Sequence, residues 1–197
     1  MYTLQLVNRD YPLASHFVPS HLTQDKQSRI WVCKVALKAF RALNKGLEKK
    51  GLSSLFLISG YRPYAYQERL FERKKQVFLK QGLDDKAAYN KASQIIAPPG
   101  CSEHQLGLAI DVATWSMKDL EDPLIISFGE TKEGCWLQNY APYYGFILRY
   151  PLDKTTITGV SYEPWHYRYV GKEHALTMQK RQFTLEEYTN FLKKESF

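Results

Sequence analysis

Residues Cys101 to Val112 read CSEHQLGLAIDV. The stretch turns apolar towards its end, yet it holds an imidazole, His104, and a carboxylate, Asp111. Both are donors to divalent metals. On a straight helix they would stand two turns apart, about 10 Å, too far for two bonds of about 2 Å to one ion. Acting together, they need a bend. Gly107 lies between them and can turn the chain back, which leaves Leu108 to Asp111 as a strand. Alternation then sets Asp111 beside Ala109 on one face, with Leu108 and Ile110 on the other. Such a strand buries one face and presents a carboxylate on the other.

The surrounding pattern is mixed. Ile30, Cys33, Leu37, Phe40, Leu43 and Leu47 recur at three- and four-residue steps, which predicts a helix from about Gln27 to Lys50 with Gly51 as its stop. Leu55 to Ile58 predicts a buried strand. Ser59-Gly60-Tyr61-Arg62-Pro63 then turns the chain, and Pro63 opens a helix that carries Gln67, Leu70, Phe71 and Phe78 and ends near Gly82. A further helix, about Asp84 to Ile95, starts on an acidic cap and is halted by Pro98-Pro99-Gly100. Leu106 to Val112, Phe146 to Arg149, parts of Thr156 to Tyr162, and His166 to Val170 predict strands. A helix is expected near Trp136 to Tyr144, with Gly145 just beyond it. Thr184 and Glu187 form a capping box for a last helix. Helices first, strands clustered later and helices at the end imply an α+β fold with an antiparallel sheet, as one domain over residues 1–197.

Bulk properties exclude several classes. No apolar run is long enough for a membrane helix, so no membrane insertion is expected. The opening MYTLQLVNRDYPL has no export signal, which predicts a cytoplasmic protein if Met1 is the native start. Three cysteines fit reduced thiols better than a disulfide framework. The net charge of +7 suits nucleic acid, an anionic surface or an anionic small substrate. The basic residues are scattered, and the run Arg73-Lys74-Lys75 falls in an expected helix, so it reads as a solvated face and not as a nucleic-acid patch.

A third metal donor must come from elsewhere. Of five histidines, His16 and His21 read as surface and His174 as a helix start. His166 lies in Tyr162-Glu163-Pro164-Trp165-His166-Tyr167, an aromatic setting with a carboxylate three residues before it. A buried histidine and glutamate are costly without partners. A divalent cation would pair with His166, and Glu163 could take a proton from water beside it. Pro164 pushes Glu163 towards an extended backbone. In a flat strand Glu163 and His166 would face opposite ways, so a bulge or turn at Pro164-Trp165 is required. Other readings stay open: a plain His104–Asp111 hydrogen bond, a structural Cys101-x-x-His104 metal site, or Cys101 as a nucleophile. Arg62, on a turn after a buried strand, suits a carboxylate ligand or is a surface arginine. HExxH, GxSxG and phosphate-loop motifs are absent.

Ser102-x-His104-x-x-Gly107-x-Ala109-x-Asp111, with Glu163-Pro164-Trp165-His166, resembles the zinc signature of the LAS peptidases. Ser59-Gly60-Tyr61-Arg62 with Gln67, Tyr144 to Pro151, and Thr158-Gly159 resemble its VanY-like branch, including the VanXY-type D,D-dipeptidase/D,D-carboxypeptidases. The resemblance implies a hedgehog/D,D-peptidase-like fold, a central antiparallel sheet flanked by helices. It implies one Zn2+ on His104, Asp111 and His166, with Glu163 as general base. Arg62 would polarise the scissile carbonyl, Ser102 and Gln67 would help hold substrate, and Trp165 would shape the pocket. The implied substrates are small peptides with D-Ala termini, namely D-Ala-D-Ala and anionic peptidoglycan precursors, whose cleavage removes the vancomycin target. A monofunctional D,D- or L,D-carboxypeptidase and a silent, hedgehog-like zinc module are the alternatives.

Overall fold

The structure, a computed structural model, describes residues 2–195. After a 3-10 turn at Tyr2–Leu4, a short hairpin of β1 (Leu22–Gln24) and β2 (Trp31–Cys33) runs directly into α1 (Lys34–Glu48). The helix therefore starts later than the apolar stripe predicts. Asp25 Oδ2 accepts the N–H groups of Gln27 and Ser28 at 3.2 and 3.0 Å, and Arg29 takes a left-handed φ of 64°. That turn folds Trp31-Val32-Cys33 back on β1, so Ile30 and Cys33 belong to the hairpin by accident of spacing. From Leu37 onward the stripe holds: Leu37, Phe40, Leu43 and Leu47 are all buried.

Next come β3 (Leu55–Ser59), α2 (Tyr64–Lys80) behind Pro63, and α3 (Asp85–Ala92), whose first turn is capped by Asp84 Oδ1 accepting Ala87 N–H at 2.7 Å. Leu106, expected to open a strand, instead ends the 3-10 turn Glu103–Leu106, and β4 runs Ala109–Thr114. α4 (Lys132–Tyr140) passes into a tighter turn that ends at Gly145, and β5 (Phe146–Leu148) follows. The stretch Thr156 to Tyr162, expected to hold strand in part, instead begins inside the single helical turn α5 (Thr155–Thr158). Its threonines favour strands only where a neighbour offers a pleated partner; here Pro151 precedes it and left-handed Gly159 closes it. β6 (His166–Tyr169), α6 (Lys172–Arg181) and α7 (Leu185–Glu195) complete the chain. The capping box forms: Glu187 N–H donates to Thr184 Oγ1 at 3.2 Å and Thr184 N–H to Glu187 Oε2 at 2.7 Å.

The main sheet has the order β3-β4-β6-β5, antiparallel throughout. β4 is central and buried at all six positions. One face of the sheet, with Ile110, Val112 and Tyr167, joins Leu37, Phe40, Leu43 and Leu47 of α1 in the principal core. A second cluster joins Ile147 to Leu4, Met178 and Leu185, and so ties the N-terminal segment to α6 and α7. The sequence sets Asp111 on the face opposite Leu108 and Ile110; it is nonetheless only 2% exposed, with His104, His166 and Arg62 packed around its carboxylate. No helix among the described residues is long and apolar enough to cross a membrane.

Gly107 makes the bend that the opening stretch requires, at φ 67°. A Cβ there would lie 2.9 Å from Leu22 Cδ2 and 3.0 Å from Cys33 Sγ, against the β1–β2 hairpin. A non-glycine residue held left-handed costs about 1–3 kcal/mol before any clash. Gly107→Ala is therefore expected to lower the melting temperature by roughly 2–12 °C, from about 2–4 °C per kcal/mol at this chain length, as read by thermal circular dichroism.

Candidate active site

The β4–β6 register places Asp111 directly opposite His166. Residues opposite each other in a ladder share a face, so two side chains far apart in sequence meet. Chain direction reverses at Pro164-Trp165 as the sequence requires: His166 N–H donates to Glu163 O at 3.1 Å, and Val112 N–H to Trp165 O at 3.1 Å. This turn brings Glu163 Oε2 to 3.7 Å from His166 Nδ1. His104 arrives from the 3-10 turn, where Ser102 Oγ accepts its backbone N–H at 3.4 Å. His104, Asp111 and His166 offer donor atoms that all lie within 4.8 Å of one another.

The hydrogen bonds fix what kind of donor His104 is. Its Nδ1 lies 2.6 Å from Gly60 O. A carbonyl only accepts, so Nδ1 carries the proton and Nε2 keeps a lone pair. That Nε2 is buried, has no hydrogen-bond partner, and faces Asp111 Oδ2 at 3.1 Å. Two acceptors at that distance need a cation between or beside them. Two imidazoles and one carboxylate are a donor set that fits zinc with a position left open. The plain His–Asp hydrogen bond does not satisfy this geometry. Cys101 is outside the donor group, its Sγ being 3.8 Å from Pro99 O.

Electrostatics agree. Burial, reinforced by the Arg62 charge, pushes His104 down to about 4, so its imidazole is neutral and ready to ligate. Burial opposes charge on Asp111, but its neighbours, the His166 imidazole among them, outweigh it and hold the carboxyl well below its ordinary range. His166 moves the other way: burial disfavours its cation, yet Asp111 and Glu103 push it up to about 9. The two rings share one carboxylate and differ because Arg62 faces the first and extra acids face the second. His166 thus sits where a positive charge is wanted. Burial pushes Glu163 up to about 7 against the pull of His166 and Arg62, a proton affinity suited to acid–base work near neutrality.

A cleft of about 580 Å³ opens over these groups. Its walls include Arg62, Gln67, Ser102, Glu163 and Trp165 besides the three donors, so every site residue expected from sequence reaches it. Arg62 is no surface arginine. Its Nη2 donates to Asp111 Oδ2 and its Nη1 to Gln67 Oε1, both at 3.2 Å, while its Nε is buried without a partner. Gln67 donates in turn to Ala97 O at 2.7 Å, so both ends of its amide hold the loop and Arg62 in place. Lys74, expected on a solvated helix face, also borders the cleft.

Sequence reasoning missed Tyr150 and Glu103. The Tyr150 ring lies 4.9 Å from that of His166 and lines the cleft. Glu103 is fully buried between Arg149 and Arg168. A signal for it existed: the apolar strands Phe146–Leu148 and His166–Tyr169 are each followed or interrupted by an arginine, and buried arginines need an acid.

Residues 29–172 match the family VanY: D-alanyl-D-alanine carboxypeptidase. The chain is 41% identical over 198 residues to the bifunctional D-Ala-D-Ala dipeptidase and D-Ala-D-Ala carboxypeptidase VanXYC of Enterococcus gallinarum, covering 98% of this chain and 96% of that one. It resembles the solved structure of VanYB in complex with D-alanine-D-alanine at a TM-score of 0.83 and 34% identity, over 96% of this chain and 98% of that one. A vancomycin-resistance D,D-pentapeptidase VanY variant in complex with Zn(II) superposes with a TM-score of 0.81 at 33% identity, covering 96% and 99% of the two chains. With the His–Asp–His donors gathered in one cleft of the same fold, the chain belongs to the VanY family of D-alanyl-D-alanine carboxypeptidases.

Proposed function

We propose that the chain is a zinc-dependent peptidase that hydrolyses both D-Ala-D-Ala and the terminal D-Ala bond of peptidoglycan precursor peptides, and so removes the vancomycin target. The observation that supports this best is the meeting of three metal donors with Glu163 and Arg62 on one cleft. His104, Asp111 and His166 would hold the ion. Zinc, when bound, supplies a Lewis acid for the scissile carbonyl and lowers the pKa of water. Glu163 takes the proton of the attacking water and returns it to the nitrogen of the departing D-alanine. Arg62 faces the charge that develops on the carbonyl oxygen; a donor of this kind contributes about 3 kcal/mol. Trp165 and Ser102 shape the wall against which the peptide lies.

Two further features fit. The cleft has more room than a dipeptide fills, which favours longer peptides as well. The net charge of +7 suits anionic precursors. Residues 1–197 act in this reading as one peptidase domain: Arg168 binds the carbonyls of Thr3 and Gln5, and Arg149 binds Glu186, so both ends of the chain are tied to the site.

The test is a substrate panel read by release of free D-alanine: the D-Ala-D-Ala dipeptide, a pentapeptide ending in D-Ala-D-Ala, and a tetrapeptide ending in one D-Ala after an L-centre. Turnover of the first two is expected, with loss on chelation and recovery with zinc. Pentapeptide turnover alone would make it a monofunctional D,D-carboxypeptidase, and tetrapeptide turnover alone an L,D-enzyme. Peptide binding with no release of D-alanine would leave only the hedgehog-like binding module.

A further inference from the structure

His104 and His166 are anchored from opposite ring nitrogens. His104 gives Nδ1–H to a backbone carbonyl and keeps Nε2 for the centre of the site. His166 turns Nδ1 towards Asp111 Oδ1 at 3.0 Å, and its Nε2 points away to Glu103 Oε2 at 3.8 Å. Those two atoms are both buried and neither has a hydrogen-bond partner in the protein. Two orphaned groups, one able to donate and one able to accept, therefore face each other across a short gap. The Glu103 side chain is 0% exposed. Its other oxygen, Oε1, is held by Arg149 Nε at 2.7 Å and Arg168 Nη1 at 2.9 Å. Two guanidiniums on one oxygen leave the second free and rich in charge.

We propose that Glu103 is a positioning residue of the metal centre: it accepts Nε2–H of His166 and so fixes the tautomer that turns the Nδ1 lone pair towards the ion. This rests on the metal-peptidase reading above. Fold geometry explains why the carboxylate is there. Glu103 precedes His104 in the same 3-10 turn, so one short segment supplies one ligand and steadies another. Alternation in β6 sets Arg168 on the same face as His166, and the bond from Arg149 N–H to His166 O at 3.2 Å sets Arg149 alongside. Arg149 then reaches Glu186 of α7 through two bonds of 2.9 and 2.6 Å. Arg168 reaches the N-terminal carbonyls of Thr3 and Gln5 at 3.0 and 2.9 Å. Glu103 itself is held directly by Arg149 and Arg168, which are tied in turn to segments near both ends of the chain.

Outer partners of metal-bound histidines contribute about 10–100-fold to metal affinity. Glu103→Gln is expected to raise the zinc dissociation constant, measured by competition with a chromophoric chelator, by that factor. Glu186→Gln loosens the same arginine from its far side but leaves Glu103 in place, so it should leave zinc affinity unchanged. The cobalt-substituted protein should show altered d–d bands in Glu103→Gln and not in Glu186→Gln, a difference that loss of stability alone would not produce. Wild-type zinc affinity and bands in Glu103→Gln would overturn the proposal. Should that variant not fold, 15N spectra of the histidines in the zinc-loaded wild type decide: a protonated Nε2 on His166 supports the assignment, and a metal-bound Nε2 overturns it. A wild-type chain that binds no zinc would sink the metal reading itself, and this proposal with it; zinc bound through the other nitrogen sinks only the role of Glu103.

Discussion

Glu163→Gln will lower kcat on a D-Ala-terminated peptide by about 10²–10⁴-fold, the range for loss of a general acid–base group, while zinc stays bound. Glutamine keeps the size and the polar end of the side chain but cannot take a proton. Glu163 lies outside the three-residue donor group, and its Oε2 is 3.7 Å from His166 Nδ1, beside the donors and not among them. Its side chain is 16% exposed, against 3% for Asp111 and 0% for Glu103, and it lines the cleft, so water there can reach it. A base acts in the transition state more than in substrate binding, so KM should move much less than kcat. Zinc content by elemental analysis and steady-state kinetics on one preparation check both halves. Normal turnover would remove Glu163 from the chemistry; loss of zinc would make it a ligand.

The parts of this site that the sequence discloses are those fixed by local rules. Gly107 between His104 and Asp111 announces a bend, and the structure bends there. Glu163 and His166, three apart, can share a face only if the chain leaves a flat strand between them, and a turn is present at Pro164-Trp165. Leu55 to Ile58 and Thr184 with Glu187 behave as their patterns say. What stayed hidden depends on pairing between distant segments or on single backbone conformations. Arg29 at positive φ ends any helix before Trp31, and nothing about an arginine advertises that. Thr155 to Thr158 has strand-forming residues but no strand beside it. Arg62 looks like an isolated turn residue until the fold sets it against Asp111. Glu103 resembles an ordinary surface acid because its counterions arrive from β5 and β6, far along the chain.

That same cluster carries the largest expected loss of stability. Arg149→Met will destabilise the fold by about 3–5 kcal/mol, the cost of removing one partner from a buried ion pair, and lower the melting temperature by roughly 6–20 °C. The cluster is balanced: Glu103 and Glu186 against Arg149 and Arg168, with Glu103, Arg149 and Arg168 at 0–1% side-chain exposure. Without Arg149, Glu103 keeps one guanidinium and Glu186 loses both of its bonds. Lysine would not rescue it. One arginine meets Glu103 through Nε and Glu186 through two terminal nitrogens, a planar fork that an ammonium cannot reproduce. Burial also makes the loss insensitive to salt, whereas a surface pair would be screened. Chemical denaturation at low and high salt measures this. A double variant Arg149→Met/Glu186→Gln should lose less than the two single losses added, because Glu186 has nothing left to pair with once Arg149 is gone. Additive losses would show that Arg149 and Glu186 act independently, and a melting point of Arg149→Met within about 2 °C of wild type, less than one kcal/mol on the same scale, would show that the cluster lends the fold no net stability.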